Sequence, residues 1–216
     1  MGTDRLVAYV DGFNLYYGLR DARLHSSRRL DLHGVCTSLL KSSQRLELVR
    51  YFTTRVRGDP AAVRRQSVYI DALLARGGLE IDFGHFLSSN TQCRSCGAVT
   101  RKREEKKTDV NIAVRLLEDA YSDRFDVAMV ISGDSDLVPP VESVRNRFPD
   151  KRVLVAGPPE RWSAQLSQAA NAALRISPLT IRSNRLPDPV VTPSGTQLWA
   201  PRGWLPHWTA TSNSGC

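Results

Sequence analysis

No segment of the 216-residue sequence approaches the ~20 consecutive apolar residues that a membrane-spanning helix needs. The first residues also lack the basic start and the apolar stretch of a secretory signal. We therefore expect a cytoplasmic protein that has no membrane partner.

Cysteine is scarce, with four residues in the whole chain. Cys36 and Cys216 lie far from the pair Cys93 and Cys96, which is not the pattern of a secreted disulfide framework. The pair has the spacing of a zinc knuckle, but a structural zinc needs four ligands and His85 could supply only a third. A tight turn or the remnant of a zinc site is therefore favoured over bound zinc at Cys93 and Cys96.

The sequence also lacks a glycine-rich phosphate loop of the P-loop or dinucleotide type, an internal repeat and a lysine-rich tail. Its formal net charge is nevertheless +8. A folded basic surface attracts polyanions, and nucleic acid is the leading candidate partner. Because many basic proteins bind no polyanion, this interpretation depends on the acidic residues described below.

Short strands that alternate with helices predict a parallel sheet in one α/β domain. Apolar segments predict strands at residues 5–11, 46–56, 79–87, 125–131, 152–156 and 174–177. Amphipathic segments and capping residues predict helices from about 15 to 24, 32 to 40, 60 to 76, 109 to 121, 135 to 148 and 163 to 172.

Two segments do not follow this alternation. Residues from about 88 to 107 form a basic, cysteine-containing insertion in a domain that spans residues 1–177. Residues 178–216 form a proline-rich tail with Trp199, Trp204 and Trp208. These tryptophans are expected to pack against the domain. The alternative is stacking on nucleic-acid bases, which contributes ~1–3 kcal/mol per base.

Four aspartates lie where a strand ends or a helix begins. Asp11 ends the first strand, Asp134 and Asp136 follow the strand that ends at Ile131, and Asp109 begins a helix. Each residue alone could be an ordinary cap or turn residue. Because open α/β sheets place their ligand sites at the carboxyl ends of the strands, all four together favour one divalent-cation site.

Three motifs contain these aspartates: VDGFN at residues 10–14, EKKTDV at 105–110 and SGDSDL at 132–137. In sequence, order and spacing they resemble the NYN family, the LabA-like relatives of PIN-domain nucleases, over residues 5–177. The resemblance implies a PIN-like three-layer α/β/α sandwich with a mainly parallel central sheet. It also implies an Mg²⁺- or Mn²⁺-dependent ribonuclease with Asp11, Asp109, Asp134 and Asp136 as metal ligands and catalytic residues.

The chemistry of phosphodiester hydrolysis agrees with this implication. Hard divalent cations held by carboxylate oxygens stabilise charge on the phosphate and lower the pKa of water. Asn14 could orient the attacking water or contact the scissile phosphate, or it could simply cap the helix after it. Ser132 could bind a carboxylate or a substrate phosphate, or occupy a plain turn.

The basic run at residues 101–107 directly precedes Asp109. Lys106 and Lys107 are therefore candidate contacts to the phosphates of an RNA substrate. The interleaved Glu104 and Glu105 weaken the run as a phosphate patch, and the alternative is a solvated charged loop.

The resemblance and the acidic residues together predict a metal-dependent ribonuclease that cleaves RNA by means of metal-activated water. The choice of RNA over DNA is implied by the resemblance alone. One alternative is an RNA-binding module of the same fold with little or no turnover. The other is a different metal-dependent enzyme of phosphate esters, in which Asp134 and Asp136 would bind the metal of a diphosphate.

Overall fold

A seven-stranded sheet forms the centre of the protein in a computed structural model. The structure describes residues 2–92, 99–106 and 108–201, with the backbone alone for residues 26, 85–92 and 99–106. The strands are β1 Asp4–Asp11, β2 Gln44–Thr54, β3 Leu79–Gln92, β4 Val99–Lys106, β5 Val127–Ile131, β6 Arg152–Gly157 and β7 Ala172–Arg175. Their order is β4-β3-β2-β1-β5-β6-β7, and six of them are parallel while β4 is antiparallel to β3.

Helices connect the parallel strands, and most begin at a residue whose side chain caps them. Asp11, Asp31, Asp59, Ser163 and Ser177 each accept a hydrogen bond from a backbone N–H of the first turn. The helices are α1 Gly12–Asp21, α2 Leu32–Ser38, α3 Pro60–Arg76, α4 Thr108–Tyr121, α5 Val138–Arg147, α6 Ala164–Ala169 and α7 Pro178–Ser183. Short 3₁₀ turns lie at His25–Ser27 and Ser135–Leu137.

Alternate residues of β1 face two different hydrophobic cores. Leu6, Ala8 and Val10 pack with residues of α1, α2 and α3, whereas Val7 and Tyr9 pack with residues of α4, α5 and α6. Since successive side chains of a strand point to opposite faces, this division places helices on both sides of the sheet. The predicted three-layer α/β/α sandwich with a mainly parallel sheet is therefore confirmed.

The direction of strand addition reverses at β1. β2 and β3 lie on one side of it, and the chain then crosses to the other side, where β5, β6 and β7 follow. Open α/β sheets bind ligands in the crevice at such a switch point, outside the carboxyl ends of the two central strands. The topology therefore predicts a ligand site at the carboxyl ends of β1 and β5.

The basic insertion contains a β-hairpin that the sequence patterns did not predict. β3 continues to Gln92 instead of ending at Leu87, and β4 pairs with it from Val99 to Lys106. Residues 101–106 are all charged, so no apolar alternation marks this strand. Cys93 and Cys96, the pair considered for zinc, lie outside the described residues.

The segment after residue 177 packs on the domain as far as Leu198. Ile181, Leu186 and Val190 are buried in the core that contains α1 to α3. α7 is followed by a two-stranded ribbon, β8 Val190–Val191 and β9 Gln197–Leu198. The expected packing of Trp199 is not observed, because 60% of this residue is exposed. Trp204 and Trp208 lie outside the described residues.

Arg29 anchors this C-terminal segment. Its buried guanidinium donates to the Pro187 carbonyl at 3.0 Å and to the Asp188 carboxylate at 2.6 Å, and also to the Leu198 carbonyl. In the part of the chain that the structure describes, no helix combines the length and the apolar character needed to cross a membrane.

Candidate active site

Asp11 lies at the switch point and is buried, with 4% of its surface exposed. It is the last residue of β1 and the N-cap of α1, where its carboxylate accepts from the Asn14 backbone N–H at 3.0 Å. The Ser132 hydroxyl, just beyond β5, donates to the other carboxylate oxygen at 2.9 Å. Asp11 therefore joins the ends of the two central strands.

Asn14 forms a second connection between α1 and the loop after β5. Its side-chain oxygen accepts from the Gly133 backbone N–H at 2.9 Å. The side chain that caps α1 belongs to Asp11, so the alternative in which Asn14 caps this helix is wrong. The catalytic role of Asn14 remains a prediction.

Gly133 permits a close approach that no larger residue would allow. A Cβ at this position would lie 2.6 Å from the Arg161 carbonyl oxygen. The loop after β6 therefore packs directly on the acidic loop. Sequence patterns did not reveal this contact, because it depends on strand order and not on spacing along the chain.

Asp134 and Asp136 follow on the same loop. Asp134 is half-buried and caps the 3₁₀ turn by accepting from the Asp136 backbone N–H at 3.0 Å. The Asp134 backbone N–H in turn donates to the Ser132 hydroxyl at 3.1 Å. Asp136 is exposed. The capping alternative for Asp134 is thus confirmed, and capping by one oxygen leaves the other oxygen of the same carboxylate for a further ligand.

Asp109 approaches from the first turn of α4 and is half-buried. Burial raises the pKa of this carboxyl, and the charges of Asp134 and Asp136 raise it further. Asp11 responds in the same way: burial is the main cause that raises its pKa to about 6, with smaller contributions from Asp109 and Asp134. Hydrogen bonds from Asn14 and Ser132 oppose this rise. The charges of Asp109 and Asp134 act on Asp11, and those of Asp134 and Asp136 act on Asp109, so we describe the four aspartates as one acidic cluster.

The donor chemistry of the acidic cluster fits a hard divalent cation. Carboxylate oxygens are the ligands of Mg²⁺ and Mn²⁺, and no residue of the cluster forms an ion pair with a described lysine or arginine. The present arrangement is open, however. Among the described side chains, no three of the His, Cys, Asp and Glu type lie close enough together to hold one ion.

The predicted substrate-binding residues have different positions. Ser132 is fully buried and its hydroxyl already contacts Asp11, so its position supports the carboxylate-binding alternative and not a phosphate contact. Lys106 ends β4, two residues before α4 begins, and only its backbone is described. Lys107 lies outside the described residues. Phosphate binding by these two lysines stays a prediction.

An aromatic cavity of about 550 Å³ lies next to Asp11, because its lining includes Gly12, the following residue. Phe13, Tyr16 and Tyr17 of α1 also line it. The sequence patterns did not predict this cavity, although the aromatic residues in and just after the first motif, Phe13, Tyr16 and Tyr17, are a signal that could have indicated it.

The fold and the acidic cluster define an α/β sandwich with a carboxylate site at its topological switch point. The chain belongs to the NYN domain family, whose family model matches residues 5–177. The expected family membership is therefore confirmed, and with it a nuclease-like fold of the PIN superfamily.

One curated relative is 6-hydroxy-3-succinoylpyridine 3-monooxygenase HspA of Pseudomonas putida (strain DSM 28022 / S16). It is 27% identical over 173 residues, and the match covers 63% of this chain and 54% of HspA. The chain thus spans about half the length of this relative.

A crystal structure with a similar fold is that of VPA0982 from Vibrio parahaemolyticus RIMD 2210633, a protein of unknown function. Its TM-score is 0.55 at 21% sequence identity, and the match covers 82% of this chain and 94% of that chain. At this identity the likeness shows the fold alone.

Proposed function

We propose that the protein is an Mg²⁺- or Mn²⁺-dependent ribonuclease that hydrolyses RNA phosphodiester bonds at the acidic cluster. The observation that carries this proposal is the convergence of carboxylates from three separate elements at the switch point. The Ser132 hydroxyl joins the Asp11 carboxylate to the backbone of Asp134. The charge of Asp109, on α4, also acts on Asp11 and raises its pKa. Four independent caps or turns would not need to converge, and their mutual repulsion opposes folding. A perturbed carboxyl in a crevice is typical of a functional site.

Asp11 and Asp134 are the expected direct ligands of the cation, and Asp109 and Asp136 would complete the set. A divalent ion at this cluster would stabilise charge on the scissile phosphate and lower the pKa of water. Ser132 fixes the Asp11 carboxylate by its 2.9 Å hydrogen bond, and Asn14 holds the acidic loop against α1 through Gly133. Because these hydrogen bonds hold Asp11 and the loop of Asp134 in place, the four carboxylates need less movement to surround one cation.

An RNA-binding module with little turnover is the second candidate function. The observation that favours it is the open arrangement, in which no three described metal-ligating side chains reach one ion position. Such a module would use the basic surface for RNA and would bind it with a strong salt dependence. The oxygenase activity in the name of HspA is not proposed for this chain, because the match covers 54% of HspA at 27% identity.

Labelled RNA and DNA incubated with Mg²⁺, Mn²⁺ or chelator test the nuclease proposal. Wild type should cleave RNA with either metal and not in chelator. Asp11→Asn and Asp134→Asn should lose activity by at least about 100-fold, since each removes a ligand charge that stabilises the transition state. Asp71→Asn, at an exposed position of α3, is the matched control and should cleave like wild type.

Two outcomes would reject the nuclease proposal. The first is cleavage that persists in chelator or in either cluster variant. The second is salt-dependent RNA binding by wild type without cleavage under any metal condition, which would instead establish the RNA-binding module. Free nucleotides and nucleotide sugars, assayed in parallel, test the remaining class of metal-dependent phosphate-ester enzyme.

A further inference from the structure

The aromatic cavity has the composition of a site for a planar ring. Tyr51 and Tyr69 form its buried part, with ring centroids 6.4 Å apart and planes at 85°. Tyr16 and Tyr17 of α1 lie at its open side and are 41% and 38% exposed. Exposed aromatic rings that line a cavity offer faces on which another ring can stack.

Two lining residues of the cavity, Gly12 and Tyr51, lie next to Asp11 of the acidic cluster. Gly12 follows Asp11 and lies so close to Tyr51 that a Cβ would come within 2.7 Å of its ring. The charge of Asp11 also raises the pKa of the Tyr51 hydroxyl, although burial is the main cause of the rise to about 12. A ligand that fills the cavity at Gly12 and Tyr51 would therefore have its neighbouring group near the end of β1, where Asp11 lies.

Arginines belong to the lining of the cavity or contact its tyrosines. Arg28 and Arg65 belong to its lining, and the Arg28 guanidinium lies 5.7 Å from the centre of the Tyr16 ring. Arg20 and Arg161 lie over the ring of Tyr17, at 4.6 Å and 5.9 Å. Of the described groups, none forms a hydrogen bond with the buried Nε of Arg28. Cations and exposed aromatic faces together are typical of surfaces that bind single-stranded nucleic acid.

We infer that this cavity holds an unstacked base of a single-stranded RNA while the adjacent phosphate lies at the acidic cluster. The inference rests on the proposed function for its choice of RNA, and it adds that the substrate is single-stranded at the cleavage position. A base inside a duplex cannot enter the cavity, because its faces are covered by its neighbours. Arg28 and Arg65 would bind the flanking phosphates, and stacking on Tyr16 would hold the base. Arg20 and Arg161 already pair with Asp21 and are not needed for this role.

An abasic scan combined with a tyrosine substitution tests the inference. A short RNA of fixed sequence is prepared with one abasic nucleotide at each position in turn, and affinities are measured by fluorescence anisotropy. The protein carries Asp134→Asn so that binding is measured without cleavage. We expect at least one abasic position to weaken binding by roughly 5- to 100-fold, the range that base–aromatic stacking supports.

The substitution Tyr16→Ala should remove most of this abasic penalty, because the base then loses the ring on which it stacks. Tyr16→Phe should retain the penalty, since it keeps the aromatic face. Tyr121→Ala is the matched control: Tyr121 is 63% exposed on α4 and does not line the cavity, so the penalty should be unchanged. A fully paired duplex of the same sequence should bind more weakly than the single strand.

Three results would overturn the inference. They are no abasic penalty at any position, an equal penalty with and without the Tyr16→Ala substitution, and equal affinity for duplex and single strand. A free nucleoside monophosphate that binds as tightly as the RNA strand and displaces it would also overturn the inference, because the cavity would then be a site for a small nucleotide. None of these measurements requires turnover. Absence of cleavage in the separate nuclease assay would therefore reject the nuclease function and leave this result standing.

Discussion

The Ser132 hydroxyl donates a 2.9 Å hydrogen bond to the buried carboxylate of Asp11, a residue 121 positions earlier in the chain. The same hydroxyl accepts from the Asp134 backbone N–H at 3.1 Å. One serine therefore determines the position of two members of the acidic cluster. The charges belong to Asp11 and Asp134, and the uncharged Ser132 links these two residues by hydrogen bonds.

Substitution Ser132→Ala is expected to lower the free energy of unfolding by about 1–3 kcal/mol, because it leaves a buried carboxylate oxygen without its donor. The pKa of Asp11 should rise further, since the Ser132 hydrogen bond lowers it. Urea denaturation measures the stability change. Ser135→Ala, at the exposed serine of the same loop, should change stability far less. Equal effects of the two substitutions would contradict this role of Ser132.

Ionised Asp11 is expected to destabilise the fold when no cation is present. Its pKa rises from 3.8 when exposed to about 6 in the fold, mainly through burial. A carboxyl with a raised pKa favours the folded state below the unfolded value, and this contribution is lost as the pH rises through the folded value. A shift of this size sets an upper limit of about 3 kcal/mol on the effect.

Asp11→Asn should therefore raise the melting temperature in chelator at about pH 8 and leave it nearly unchanged at about pH 4. Asp126→Asn provides the opposite case. Arg5 lowers the pKa of Asp126 to about 2 by donating from its side chain and its backbone, so loss of that charge should lower the melting temperature at neutral pH. If the melting temperatures of both variants fall at about pH 8, ionised Asp11 stabilises the fold and this prediction is wrong.

The sequence was sufficient to predict the parts of the site that depend on local order. Asp11 and Asp134 are caps and Asp109 lies in the first turn of α4, and positions of this kind are visible in the residue pattern. The burial of Ser132 and the contact between Gly133 and the Arg161 carbonyl were not predictable, because both depend on which strands lie side by side. The hairpin strand β4 was missed because its charged residues show no apolar alternation.

The aromatic cavity illustrates the same difference. Phe13, Tyr16 and Tyr17 are close together in sequence, but the cavity is also lined by Tyr51 of β2 and Tyr69 of α3. The C-terminal segment had no periodic pattern, yet Ile181 and Leu186 complete a core that begins at β1. Features that are assembled from distant segments become visible only after the sheet order is known.

A buried ion pair in the core that contains α4 to α6 should contribute strongly to stability. Asp119 accepts from the Arg50 guanidinium at 2.7 and 3.0 Å and from the Tyr9 hydroxyl at 2.7 Å. Asp119→Ala would leave the buried Arg50 charge without this partner, which costs about 3–5 kcal/mol. Urea unfolding midpoints measure the change.

Glu80→Ala is the matched control, because Glu80 also pairs with Arg50 but its side chain is 58% exposed. Because Glu80 remains largely solvated and Arg50 keeps its buried partner Asp119, this variant should lose much less stability than Asp119→Ala. The paired replacement Arg50→Met with Asp119→Leu should recover part of the lost stability, since it removes both charges from the core. Similar losses for Asp119→Ala and Glu80→Ala would show that burial does not decide the strength of these pairs.

Direct cation binding by the acidic cluster gives a measurement that is independent of RNA cleavage. Calorimetric titration of the chelator-treated protein with Mn²⁺ should show binding that disappears in Asp11→Asn and Asp134→Asn and persists in Asp71→Asn. Because carboxylates must be ionised to bind a metal, and the pKa of Asp11 is about 6, affinity should be higher at about pH 8 than at about pH 5. Binding that is equal at both pH values, or that survives in both cluster variants, would place the cation elsewhere and remove the chemical basis of the nuclease proposal.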